Sequence, residues 1–283
     1  MLHRVIAALF AVLLAAPAAA LAVEAAPAEP PKEQPKAPPP PPPPPADADA
    51  ALTAKIGALY KGKVVRFDPR TLYLELLYEF KDEKEAGDFA LSDWAFGGRK
   101  GSLKVADGGL RLLKTHQVAL VPGRFSSVTA AVDFAMLTSG GEAAACLTVC
   151  SDGAGNFFEI VGLYHGNASL QKCSAGGFSW LGRTVPSPFA RDRRGSMGIG
   201  FANGQIRAPV GNQALEAKDA QFTAGQVGLR AYEGDVEFRN LRIAGTLERA
   251  WVEQLMGKAP PPPPPPPDTT PKPKPPPVDE GEF

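Results

Sequence analysis

Between residues 127 and 137 every second side chain is apolar: Val128, Ala130, Val132, Phe134 and Met136 fall on one face. A period of two with one greasy face belongs to a half-buried β-strand and fits no helix. The rhythm recurs along the chain. Leu103 and Val105 alternate before the turn sequence Ala106–Asp107–Gly108–Gly109, and Leu110 and Leu112 alternate after it. Met197, Ile199 and Phe201 share a face, and Asn203–Gly204 follows them. Asn and Gly accept the positive φ of a two-residue hairpin turn. In 157–164, Phe157, Glu159, Val161 and Leu163 alternate against Phe158, Ile160 and Tyr164, so both faces are expected to be buried. Segments 144–150, 156–164 and 168–173 are expected to form a meander. About a dozen such runs, bounded by Gly, Asp, Asn and Pro, predict an all-β sandwich or barrel. Helix is expected only at the end, with Thr246 as cap, Leu247, Trp251 and Leu255 one turn apart, and Gly257 as stop.

Composition sets the limits of this domain. The chain has 283 residues and 31 prolines, among them the runs Pro38–Pro45 and Pro260–Pro267. Pro-rich, core-poor segments cannot bury enough apolar surface to fold and favour extended polyproline II. Residues 23–51 and 258–283 are therefore expected to be a proline-rich linker and a disordered proline-rich tail. They read as stiff spacers, with docking to a proline-recognising protein partner as the alternative. Residues 1–22 have one early Arg, an apolar run and Ala-x-Ala sites, the pattern of a secretory signal peptide cleaved after Ala20 or Ala22. The run Val5–Leu14 is short for a membrane span. The expectation is an exported chain, periplasmic or extracellular, with no transmembrane segment once mature. Residues 52–257 are then one folded domain. Residues 51–258 carry 25 Lys and Arg against 21 Asp and Glu, with no basic patch of the kind nucleic acid requires.

The stretch GQVGLRAYEGDVEFRNLRI, residues 225–243, reads as two strands around a Gly234–Asp235 turn. Val227, Leu229 and Ala231 share a face, as do Val236 and Phe238, and then Leu241 and Ile243. The step from Phe238 to Leu241 is three residues, which predicts a β-bulge near Arg239–Asn240. This stretch resembles the closing strands of concanavalin A-like jelly rolls. It is most similar to the domain family named for 3-keto-disaccharide hydrolases. EFKDEKEAGDFALSDW at 79–94 and GSLKVADGGLRL at 101–112 resemble the opening of such domains. The resemblance covers residues 75–245 and implies a two-sheet jelly-roll sandwich, which the short C-terminal helix then follows. It also implies a glycoside-type hydrolase. The middle of the chain departs from the family: no Asn-Ser-Gly precedes the strand at 145–150, and no Trp-Asn pair stands at Gly195–Ser196–Met197.

Glu233, Asp235 and Glu237 match the carboxylate spacing of family sixteen glycoside hydrolases, which makes them the candidate catalytic residues. A common face would be needed to bring two carboxyl groups within about 5–5.5 Å for retaining hydrolysis. The turn signal between them opposes this, and they read instead as parts of a closing hairpin, Glu237 with its carboxylate pointing away from the core. His116 and His165 lack the third ligand of a catalytic zinc site, so no metal site is expected and no cofactor is implied. A structural calcium remains open, with Ser151–Asn156 read more simply as a hairpin loop. Cys146, Cys150 and Cys173 are expected to stay unbridged, because strand geometry keeps them too far apart. Trp94 reads as core. Trp180, Tyr164, His165 and Tyr232 are the candidate binding residues, since loop aromatics can stack on sugar faces. The expected function is non-catalytic binding of a glycan or another envelope polymer. Glycoside-type hydrolysis is the first alternative, and a protein-binding scaffold the second.

Overall fold

The computed structural model describes residues 46–138 and 142–257. The expected signal peptide, the linker up to residue 45 and the tail from 258 lie outside the described residues. Two antiparallel sheets pack face to face as a jelly-roll sandwich. The first sheet holds β1 (Lys63–Asp68), β2 (Tyr73–Tyr78), β4 (Ser102–Ala106), β5 (Gly109–Leu113) and β7 (Phe125–Met136). It continues with β13 (Arg194–Ala202), β14 (Gln205–Val210), β15 (Gln213–Lys218) and β17 (Val236–Leu247). Its order is β1, β2, β17, β7, β13, β14, β15, with β5 paired to β17 and β4 to β5. The second sheet holds β3 (Ala90–Ala95), β6 (Gln117–Leu120), β8 (Ala144–Ser151) and β9 (Phe157–Tyr164). β10 (Asn167–Ser174), β11 (Gly177–Trp180), β12 (Val185–Pro186) and β16 (Gln226–Tyr232) complete it. Its order is β11, β10, β9, β8, β16, β6, β3, with β12 paired to β10.

Alternation decides what lies between the sheets. Val128, Ala130, Val132 and Phe134 of β7 are buried in the shared core, as expected, and Met136 packs at its margin. From the second sheet, Leu147, Ile160, Leu170 and Leu229 meet them. Tight turns hold the hairpins. Asp107–Gly108, His165–Gly166, Ala175–Gly176 and Asn203–Gly204 each place two successive residues at positive φ. That backbone twist matches the right-handed twist of the strands it joins. The expected bulge is present: β17 shifts register against β7 between Arg239 and Arg242, with Asn240 at φ 52°. The meander β8, β9, β10 is also present.

Two expectations about helix are corrected. A helix, α1 (Ala46–Leu59), begins inside the segment read as linker. Leu52, Ile56 and Tyr60 recur every fourth residue and are buried against the core, which is what holds it. Tyr60 Oη donates to the Pro122 carbonyl at 3.0 Å. Just beyond, the buried Asp88 carboxylate accepts from Lys61 N (2.6 Å), Gly62 N (3.1 Å) and Tyr78 Oη (3.0 Å). The terminal helix, α2 (Arg249–Leu255), is present, but Thr246 does not cap it. Thr246 lies within β17, and Glu248 takes the cap position without a side-chain bond. Gly257 ends the helix at φ 80°.

Cys146, Cys150 and Cys173 are all buried and unbridged. Cys146 pairs across with Val161 and Cys173 with Phe157, so neither faces another cysteine. Burial pushes the Cys150 and Cys173 thiols up to about 12 and Cys146 higher still. Thiolate is the reactive form. Denatured, unreduced protein is therefore expected to titrate three thiols, and native protein at pH 8 none on the same timescale. A single thiol in the denatured titration contradicts the strand order.

Candidate functional site

The closing motif is not a hairpin. β16 belongs to the second sheet and β17 to the first, so the turn at 233–235 carries the chain across the gap between sheets. A paired hairpin was the sequence expectation, and the jelly-roll crossing replaces it. The three carboxylates consequently point to three places. Glu233, on the turn at φ 47°, bonds Arg99 Nη1 at 2.6 Å. Asp235 Oδ1 accepts from Lys114 N at 2.8 Å. Glu237 leaves the first sheet on its outer face. It accepts from Arg111 Nε and Arg239 Nε, both at 2.7 Å, and lies flat over Gly109. A Cβ on Gly109 would stand 2.6 Å from Glu237 Cγ, so only glycine leaves room for this carboxylate. Glu237 points away from the core as expected. It is nonetheless only 5% exposed, because two arginines cover it.

The chemistry of the molecule gathers on the outer face of the second sheet. In β16, Val227, Leu229 and Ala231 point into the core, so Gly228, Arg230 and Tyr232 point out. In β9, Phe157, Glu159 and Val161 do the same. Arg230 stands opposite Cys146 of β8, and Thr148 of β8 stands opposite Glu159 of β9. The Arg230 guanidinium reaches across β8 to Glu159 with two bonds, Nε at 2.9 Å and Nη2 at 2.6 Å. Nη2 also meets Cys146 Sγ at 3.5 Å. Arg230 is 3% exposed and Glu159 fully buried. A fork-on-fork pair of this kind is the arrangement that makes two buried charges tolerable.

Aromatic rings cover this ion pair. Phe178 of β11 lies over the guanidinium at 5.0 Å, and Tyr232 flanks it at 5.8 Å. Such contacts are favourable because a cation meets the negative face of a ring. Trp94 packs edge-on against Phe157 at 5.5 Å, the core-like role expected of it. Phe96 touches Phe178 at 5.4 Å and Tyr232 at 5.7 Å. Tyr164 meets Tyr232 at 5.9 Å, and His165 meets Tyr164 at 4.2 Å. Behind Tyr232, the His116 ring packs at 4.9 Å, tilted by 32°. Its Nε2 accepts from Glu233 N at 3.1 Å and its Nδ1 donates to the Phe96 carbonyl at 3.1 Å. These partners define a neutral ring protonated at Nδ1. Burial lowers the His116 pKa from 6.5, with Arg99 acting in the same direction.

Within this belt lies a cavity of about 160 Å³. Ala144 and Val161 are its small apolar members, Arg230 its cation, and Gln171 its amide. The remaining lining is aromatic: Phe96, Phe178, Tyr164, Tyr232 and Trp180. Three of the four candidate binding residues, Trp180, Tyr164 and Tyr232, thus meet at one site. His165 does not line it and only supports Tyr164 from the adjoining turn. Trp180, at the end of edge strand β11, is 52% exposed. Phe96, Phe178, Gln171, Arg230 and Glu159 were not singled out by sequence reasoning. The available signal was Glu159, a carboxylate in a strand with two buried faces, which demands a buried cation. Among the described residues no group of His, Cys, Asp and Glu is placed to hold a metal ion. The Asp152 carboxylate is used within its own loop, accepting from Ala154 N, Asn156 N and Asn156 Nδ2.

No protein-family model and no curated protein matches this sequence. Solved structures do resemble it. The carbohydrate-binding module CBM66 of Bacillus subtilis has 18% identity and a TM-score of 0.42 over 55% of this chain and 94% of its own. A Bacillus subtilis protein of unknown function with a galectin-like fold has 14% identity and a TM-score of 0.47, over 60% and 96%. The Bacillus licheniformis β-glucanase has 12% identity and a TM-score of 0.46, over 61% and 97%. At these identities the likeness is one of fold alone.

Burial separates the two glutamates of the closing motif. Glu237→Gln is expected to destabilise the fold by about 1–3 kcal/mol, since it weakens charge-assisted bonds to two arginines. Glu233→Gln is expected to cost less than about 1 kcal/mol, because its pair with Arg99 is largely exposed. Urea unfolding of both variants tests the order. His116 adds a pH dependence of definite sign. Its folded-state pKa is depressed, so below about 6.5 the unfolded chain takes up the proton first. Its stability contribution is complete above that pH and is lost as pH falls through it. The drop in unfolding free energy between pH 7.5 and 5.5 should be smaller in His116→Gln than in wild type.

Proposed function

We propose that this chain is an exported, non-catalytic glycan-binding module whose ligand sits on the outer face of the second sheet. The observation that carries the reading is the aromatic cavity beside the exposed Trp180. Sugar rings present C–H-rich faces that pack on aromatic rings, and a few polar groups then fix orientation. Here Gln171 and the tyrosine hydroxyls supply those groups. Among the described residues no Asp or Glu lines the cavity. The carboxylate beneath it, Glu159, is engaged by both Nε and Nη2 of Arg230. General acid and nucleophile roles each need a carboxyl group able to reach substrate. The glycoside-type hydrolase of the 3-keto-disaccharide kind rests on the resemblance at 225–243 and stands as the second reading. In our reading the leader at 1–22 directs export, and the proline segments act as spacers that hold the module within the envelope.

Co-sedimentation with insoluble β-glucan, cellulose, chitin and peptidoglycan tests the proposal. Wild type is expected to bind at least one polymer, and Trp180→Ala to bind it at least tenfold more weakly. Loss of one stacked aromatic ring costs about 0.5–1.5 kcal/mol beyond its area burial, and with that burial added a tenfold effect, about 1.4 kcal/mol, is the natural scale. Release of reducing ends by wild type, abolished in a carboxylate variant, would replace binding with hydrolysis.

A further inference from the structure

The cavity wall rests on a histidine that can change its charge. His116 is 3% exposed and packs against two lining residues, Tyr232 at 4.9 Å and Phe96 at 6.2 Å between ring centroids. Its Nδ1 faces the Phe96 carbonyl, which can only accept. Nε2 is therefore the acceptor of the ring. Two donors converge on it, Glu233 N at 3.1 Å and Arg99 Nη1 at 3.4 Å.

A proton on Nε2 cannot be absorbed in place. The new N–H would point at those two donors, and both contacts would be lost. Among the described residues one carboxylate oxygen stands near, Glu233 Oε1 at 3.7 Å, beyond hydrogen-bond range. To accept from the imidazolium, Glu233 must move toward the ring, yet its Oε2 is held by Arg99 Nη1 at 2.6 Å. Glu233 follows Tyr232 directly and sits on the crossing turn at φ 47°. A shift of that turn carries Tyr232 with it, and Tyr232 is cavity wall.

The charged and titratable groups facing His116 come from three places. Arg99 approaches from the segment after β3, Glu233 from the turn, and Tyr232 and Arg230 from β16. Burial holds the His116 pKa below its ordinary 6.5, with Arg99 and Arg230 acting the same way and the Phe96 carbonyl and Glu233 opposing. The folded protein therefore takes up this proton only in mildly acidic solution. Burial pushes the Tyr232 hydroxyl above its ordinary 10, so that ring stays neutral throughout. His165 also touches the wall, at Tyr164. It is exposed on a turn, and its ring makes no hydrogen bond among the described residues, so charging it breaks none.

Resting on the glycan-binding reading, we propose that His116 is a pH-sensitive positioning residue for the cavity: neutral, it holds Tyr232 in the binding arrangement, and protonated, it displaces the crossing turn and releases the ligand. The full chain is titrated by NMR without ligand from pH 7.5 to 5.0, following the ring signals of His116, His165, Tyr164 and Tyr232. An ordinary glutamate titrates near ~4.3, below this window. The Tyr232 signals should move with the midpoint of His116. They should stay still in His116→Gln, whose amide offers a donor and an acceptor but gains no proton. His165→Gln should keep the transition.

Binding is then measured by co-sedimentation with β-glucan, cellulose, chitin and peptidoglycan at pH 7.5 and 5.0. A proton taken up half a pH unit or more above 5.0 leaves about a quarter or less of the protein competent, so binding should weaken about fourfold or more. In His116→Gln this pH dependence should vanish. Should that variant not fold, the coincidence of the wild-type midpoints still decides. A His116 that is still neutral at pH 5.0, or a Tyr232 that stays unmoved while His116 titrates, overturns the proposal. So does a transition that follows His165. Equal binding at both pH values overturns the switch and leaves glycan binding intact. Absence of binding to every polymer defeats the glycan reading, while the Tyr232 signals still decide whether His116 controls the wall.

Discussion

Everything on the outer face of the second sheet is arranged around the ion pair of Arg230 and Glu159. Two charges cannot be buried on a sheet surface unless each satisfies the other and aromatic or apolar neighbours exclude competing water. The pair spans three strands, from β16 across β8 to β9, and so fixes their relative register from outside the core. Phe178 must then lie over the guanidinium, which draws edge strand β11 across the sheet. Trp94 and Phe96 close the belt from the other side. The cavity is the space this cover leaves unfilled. Removing either partner alone would strand a buried charge and is the most damaging single change available on this face.

The same logic explains why the acids of the closing motif are structural. A turn that crosses between sheets has backbone groups that no strand can pair. Asp235 satisfies Lys114 N, and Glu233 together with His116 ties the turn to Arg99. Glu237 then seals the outer face of the first sheet between Arg111 and Arg239. Three carboxylates spaced by two residues thus serve three local needs, because the backbone bends between the first and the last.

Much of this architecture was legible from side-chain period alone. The faces of β7, β9 and β13, the positive-φ turns and the bulge in β17 follow from spacing that only one backbone geometry satisfies. The pairing of β16 and β17 was not legible, since two alternating runs around a Gly-Asp turn look alike whether they pair or cross between sheets. Helix α1 was hidden by its surroundings. Ala46–Ala51 holds only alanine and aspartate and shows no apolar period, and the repeat of Leu52, Ile56 and Tyr60 is only two turns long. At the site, Trp180, Tyr164 and Tyr232 were accessible because exposed or turn-adjacent aromatics stand out against a core pattern. Arg230 and Phe178 were not, because their importance comes from partners on other strands: Glu159 lies 71 residues away from Arg230 in sequence.

The position of β2 between β1 and β17 has a mechanical side. Lys63, which opens β1, lies opposite Leu77, whereas Thr246, near the end of β17, lies opposite Tyr73. The chain thus enters this three-stranded unit at one end of β2 and leaves it at the other. Tension applied between the two ends of the described segment pulls β1 and β17 in opposite directions along their lengths. The ladders on either side of β2 are loaded in shear, so their hydrogen bonds share the force instead of opening one at a time. Resistance to such a load is set by the unfolding rate and not by equilibrium stability. By this arrangement of its first and last strands, the described domain resists unfolding when it is pulled from its two ends.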